Sequence, residues 1–423
     1  MLPESVRKEI ITIIKQEVTL AIGCTEPIAV ALAVAKLTEL LRSVPDRIDV
    51  FLSANVLKNA MGVGIPGTGM VGLPIAIALG ALVGKSEYGL EVLKDITPAD
   101  VENGKLLVAK KIIGIHLKDD IDEKLYIEVV GSKNQDVART IISGEHTRFV
   151  FLELNQEILL NLCEDKTTES EADQYELSFD KVCEFAIETP IDEIRFIKKT
   201  VEVNKAAAEA ALKGSYGHTI GQTLANGKMG DSVYTHMLSG TAAACDARMA
   251  GAMLPVMSNS GSGNQGIAAT LPVSVFAEES GKSDEELIRA LALSHLMTIY
   301  IKQSLGRLSG LCGAMVATTG SACGVTYLMG GTREQIGFAI KNMIGNITGM
   351  ICDGAKPSCT LKVSNGVSTA ILSAFLAIDN KVVTSAEGIT DEGVDKTIHN
   401  LTKIGRDGMN ETDRMVLDIM MNK

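Results

Sequence analysis

Three long stretches of this 423-residue chain carry no charged side chain: 59–84, 249–277 and 308–332. Each is long enough to cross a bilayer as a helix. Each is also broken, by GVGIPGTGMVG, SNSGSGNQG and ATTGSACG respectively. Lipid cannot satisfy the backbone groups that such clusters free, so a membrane location is rejected. The place left for uncharged, glycine-rich chain is the middle of a globular protein, with the three stretches facing one another. Hydrophobic residues are 46% and charged residues 22% of the chain, which suits a folded core. Aromatics are only 4% against 40 glycines and 17 methionines, so that core is built from small residues and closely packed backbones. The length suggests two or three domains. A net charge of -12 without a basic run argues against a nucleic-acid partner and favours a small substrate. The apolar excess is compatible with a homodimer.

Residues 4–20 repeat apolar side chains at helical spacing, so the opening reads as an amphipathic helix rather than a signal peptide. The eight cysteines then belong to a reducing cytoplasm, where structural disulfides are rare. They are buried thiols or metal ligands. Gly23–Pro27 is a turn, with Thr25 as N-cap of an Ala-rich helix. Cys24 stands just before that helix, where backbone N–H groups and the helix dipole lower a thiol's pKa. A small buried hydrophobe is the other reading, and both stay open. IDVFLSA (48–54) reads as a strand. Asn55, Lys58 and Asn59 follow it, beside a glycine-rich loop, and such groups can bind a carboxylate. Lys58 reads equally as a surface lysine. The glycines do not spell a dinucleotide fingerprint.

Between 95 and 155, KLLVAKKIIGIHLK, KLYIEVVG and TRFVFLEL alternate at period two, and DVARTIIS reads as a short helix. His116 and His146 lie here and read as structural. Cys163 and Cys183 read as packed core thiols, and TTESEADQ as a linker. From 191 onward the chain reads as helices separated by Gly/Pro/Asn/Ser loops, without a strand. One loop, MSNSGSGNQGI, offers Ser258, Asn259, Ser260, Ser262 and backbone N–H groups as an anion-binding concavity; a flexible surface loop is the alternative. The fold class is therefore α+β, a large all-helical domain carrying the active site plus a small antiparallel α+β module. The expected partition is 1–94, a helical, glycine-rich segment packing on the catalytic domain; 95–155, the α+β module; 156–190, an acidic helical connector; and 191–423, the catalytic domain.

Four cysteines fall in GLCGAMVATTGSACG (Cys312, Cys323) and MICDGAKPSCTLKVSNG (Cys352, Cys359). Thiolates bind iron–sulfur clusters and zinc. Structural zinc prefers more closely spaced pairs than Cys352 and Cys359, and a redox disulfide prefers C-x-x-C. An uncharged wall with turn residues beside each thiol suits a buried inorganic cofactor.

These segments, with NITGMICDGAKPSCTLKVSNGVSTA, GAMLPVMSNSGSGNQGI and AIGCTEPIAVALA, resemble the L-cysteine desulfidase family, which is related to the α chain of iron–sulfur L-serine dehydratases. The resemblance covers nearly the whole chain and is weakest across 95–190. It implies a [4Fe–4S] cluster on Cys312, Cys352 and Cys359, although the Cys352–Cys359 spacing is shorter than the dehydratase pattern. Three thiolates leave one iron open as a Lewis acid. The implied chemistry is non-redox β-elimination of L-cysteine to pyruvate, ammonia and sulfide, with Cys24 as general base or acid. Asn55, Lys58, Asn59, Ser258, Asn259, Ser260 and Ser262 are the substrate contacts, and Lys302 and Lys356 balance cluster charge. An L-serine dehydratase with the same cofactor is the nearest alternative, and a non-catalytic zinc protein the next.

Overall fold

A computed structural model describes residues 1–118, 121, 123–162 and 176–422. The linker TTESEADQ and Cys163 lie outside the described residues. The main sheet has the order β3-β2-β4-β5-β6-β7, formed by β2 (Arg47–Leu52), β3 (Ile113–Leu117), β4 (Tyr126–Lys133), β5 (Asp136–Ser143), β6 (Phe149–Leu154) and β7 (Glu157–Asn161). Only β2 and β3 run parallel; the other neighbours are antiparallel.

Two expectations change here. DVARTIIS is strand β5 and not a helix, because it pairs along its whole length with β4 and over its middle with β6. Neighbouring strands thus override a local pattern that suits either period. The sheet also does not respect a boundary at residue 95. β2 lies between β3 and β4, and the helices Thr25–Leu41 and Leu73–Val83 share one hydrophobic core with the sheet. The expected connector contains strand β7 and the helix Phe179–Glu188.

A second core is helical. It runs from Leu177 to Leu401 and takes in Ile10, Ile14 and Val18 from the first helix. Its middle is the helix Gly313–Leu328, which packs against Asp284–Leu305, Gly263–Glu279, Arg333–Ile347 and Cys359–Ile378. Nearly all of its side chains are buried, as its charge-free sequence requires. Cys359–Ile378 is long and apolar enough to cross a membrane by length and composition, but half of it is buried inside the protein.

The two cores meet along the uncharged stretches. Gly64 and Gly67 donate backbone hydrogen bonds to Met249 and Gly251, each at 3.0 Å. The C-terminal half does contain one short strand, β8 (Pro255–Met257). It pairs antiparallel with β1 (Leu20–Ile22). That two-stranded pairing brings the residues before Cys24 alongside those before the 258–262 loop.

Candidate active site

Cys24, Cys312, Cys352 and Cys359 line one cavity of about 110 Å³ at the junction of the two cores. The chain brings them together by local rules. Cys312 is the N-cap of Gly313–Leu328, and Cys359 is the first residue of Cys359–Ile378. An isolated bridge joins Leu311 to Ile351. Around it, Cys312 N–H donates to Met350 O at 2.9 Å, and Cys352 N–H donates to Gly310 O at 2.8 Å. Gly354, between the second and third thiols, has φ +87°, and a Cβ there would stand 2.3 Å from the Lys58 carbonyl oxygen. Only glycine fits this turn.

Four helices begin at the cavity: Thr25–Leu41 capped by Cys24, Gly263–Glu279 by Ser262, Gly313–Leu328 by Cys312, and Cys359–Ile378 by Ser358. None has a side-chain hydrogen bond at its cap. At the Cys359–Ile378 start the first N–H groups are taken by the preceding turn, Cys359 N–H donating to Lys356 O at 2.9 Å and Thr360 N–H to Pro357 O at 3.2 Å. At all four starts the helix dipole favours negative charge. Three thiolates bound to a cluster would supply that charge. Among the described residues no three His, Cys, Asp or Glu side chains stand close enough to grip a single metal ion. Cys312, Cys352 and Cys359 line the same cavity, and thiols are the donors that an iron–sulfur cluster would take. Burial pushes the Cys312 thiol up to about 12, with Cys352 and Cys359 adding like-charge repulsion. Burial also raises Cys359, against the opposing pull of Lys356. These are thiols in need of a metal's charge to become thiolates.

Several expected substrate contacts lie elsewhere. Lys58 is buried and pairs with Asp413 Oδ1 at 2.6 Å, while also donating to Cys352 O at 3.1 Å. Asn55 donates to the other Asp413 oxygen at 3.0 Å. Both are committed to holding the C-terminal helix Asn410–Met421 and the Cys352 loop. Ser258 donates to Thr19 O at 2.8 Å, and Asn259 bonds to His295, so these two brace the loop from behind. Asn59, Ser260 and Ser262 do line the cavity. Lys356 pairs with Asp353, away from it, and Cys323 is buried inside the Gly313–Leu328 helix. Lys302 lines the cavity; burial and the neighbouring Arg307 lower it to about 8.

For Cys24 the environment is that of the second open reading, a buried thiol. It does stand at a helix start, but burial, reinforced by the adjacent Glu26 charge, raises its thiol well above the usual value. It is a thiol that donates to Glu26 Oε2 at 3.0 Å. Burial would raise Glu26 too, but His146 and hydrogen bonds from Cys24 and Asn59 outweigh it and hold the carboxyl below its ordinary range. Glu26, His146 and Arg248 were not singled out as site residues from the sequence, and all three line the cavity. A signal existed for Glu26: it is the one charge between Glu17 and Lys36.

The family model of the serine dehydratase alpha chain matches residues 87–418. This chain belongs to the serine dehydratase alpha chain family. A UPF0597 protein of Bacteroides thetaiotaomicron is 63% identical, and one of Bacteroides fragilis 64%, each over 99% of both chains. One of Porphyromonas gingivalis is 54% identical, again over 99% of both. Membership in the serine dehydratase alpha chain family makes the protein a dehydratase-type lyase of an iron–sulfur family.

Proposed function

We propose that this lyase eliminates sulfide from L-cysteine, giving pyruvate and ammonia, with a [4Fe–4S] cluster on Cys312, Cys352 and Cys359. One observation carries the reading: three thiols from two loops and a helix start share a cavity with a buried Cys–Glu pair. When bound, the cluster supplies an iron without a protein ligand, a Lewis acid for the substrate. The protein does the rest. Glu26 is the ionised proton acceptor and Cys24 the thiol donor beside it, so the pair can take a proton at the carboxylate and return one at Sγ. Asn59 fixes Glu26 by donating to Oε1 at 3.0 Å. Thr25 donates to Gly261 O at 2.8 Å and ties this pair to the serine loop.

Loss of water from L-serine is the second reading, favoured by the matched family's own name. Anaerobically reconstituted protein offered each amino acid separately decides between them. Sulfide with pyruvate from L-cysteine, faster than pyruvate from L-serine, is the expected result. Pyruvate from L-serine alone would replace the first reading with the second, and no product from either would end both. Seven described cysteines are free thiols, which suits a reducing cytoplasm.

A further inference from the structure

Arg248 is 3% exposed and lines the cavity. Its only hydrogen bond among the described residues runs from Nη1 to Asn264 Oδ1 at 3.1 Å. Its Nε is buried without a partner, and no carboxylate stands within ion-pair distance among the described residues. A buried, unpaired guanidinium is costly. Its position makes the cost greater. A Cβ on Gly263, the first residue of Gly263–Glu279, would stand 2.2 Å from Arg248 Nε. The cation therefore lies against the positive end of a 17-residue helix, where a cation is disfavoured. An arrangement with two positive features and no anion is built for an anion. Nearby, Gln265 Oε1 is also buried without a partner, and its amide packs against Gly313, beside Cys312. It is an acceptor awaiting a donor.

We infer that Arg248 holds the α-carboxylate of a free α-amino acid at the start of the Gly263–Glu279 helix, while Gln265 Oε1 accepts from its ammonium. A guanidinium fork and helix N–H groups recognise a planar carboxylate, and a lone amide oxygen recognises an N–H. The substrate class is thus a zwitterion, and peptides or amides blocked at the carboxyl are excluded. The inference rests on reading the cavity as an amino-acid site, but it does not depend on which group leaves.

L-Alanine, which has no leaving group, tests it by calorimetric titration of the iron-loaded protein. Wild type is expected to bind L-alanine about tenfold or more tighter than L-alaninamide or propionate, each of which lacks one charge. Arg248→Gln is expected to keep its iron content and visible absorption while losing the preference for acid over amide. Arg248→Lys should restore part of that preference. The inference is overturned if wild type binds the amide or propionate as tightly as L-alanine, or if Arg248→Gln keeps the acid preference. Loss of iron from Arg248→Gln would overturn it also, because the charge would then serve the cluster. The wild-type ranking decides the matter even if a variant does not fold. Arg248-dependent L-alanine binding without turnover of L-cysteine or L-serine would sink the proposed chemistry and leave this inference standing.

Discussion

Five helices that begin away from the cavity are capped differently from the four that begin at it. Pro98–Ala109, Val233–Met249, Asp284–Leu305 and Arg333–Ile347 each carry a full capping box, with Thr97, Ser232, Ser283 and Thr332 at the cap. Phe179–Glu188 has a Ser178 cap. The four cavity helices have cysteine or serine at the cap and no side-chain hydrogen bond there. Ordinary cap residues contribute about 1 kcal/mol each by filling the free N–H groups. At the cavity no cap side-chain oxygen makes that contribution. The same backbone feature is closed by a side chain at these five starts and left to its surroundings at the four around the cavity.

The sharpest way to break the comparison is to remove a thiol. Cys312→Ala, Cys352→Ala and Cys359→Ala should each abolish iron binding, visible absorption and turnover. Normal iron content in any of them would remove that residue from the ligand set. Next, Cys24→Ala and Glu26→Gln should retain iron yet lose turnover by about a hundredfold or more, the usual scale of a proton-transfer group. Full turnover in either would take it out of the proton pathway.

A smaller effect belongs to the paired charges behind the site. Lys58→Met leaves Asp413 buried with only the Asn55 amide beside it, and should cost about 3 kcal/mol in denaturant unfolding. Adding Asp413→Leu should recover most of that loss. If the double variant is as unstable as the two single losses summed, the pair is not coupled. The smallest effect tests the caps directly. Ser283→Ala should cost about 1 kcal/mol and leave iron untouched. Cys312→Ser, in metal-free protein, should be about 1 kcal/mol more stable than Cys312→Ala, because serine can cap the Gly313–Leu328 helix. Equal stabilities would mean that the start of this helix is not short of acceptors.

The sequence disclosed the pieces better than their partners. Charge-free stretches and glycine clusters showed where the two cores would meet, and the three thiols proposed as ligands do reach one cavity. DVARTIIS was ambiguous because its apolar residues suit either period, and only pairing with β4 and β6 decides it. Lys58 looked free because its partner, Asp413, lies 355 positions away. Cys24 stands at a helix start as expected, but the depth that raises its thiol is a tertiary property. Arg248, two residues after Asp246 at the end of an Ala-rich helix, is the last charge before the uncharged run 249–277, and that border position is the clue that could have found it.

The bridge between Leu311 and Ile351 has a consequence for how the centre is put together. Hydrogen bonds on either side of it fasten the Cys312 and Cys352 loops to each other through backbone alone. The entropy of bringing those two segments side by side is therefore spent during folding and not during metallation. Iron loss then need not mean unfolding: an emptied centre would keep two of its three anchors in register, ready for repair.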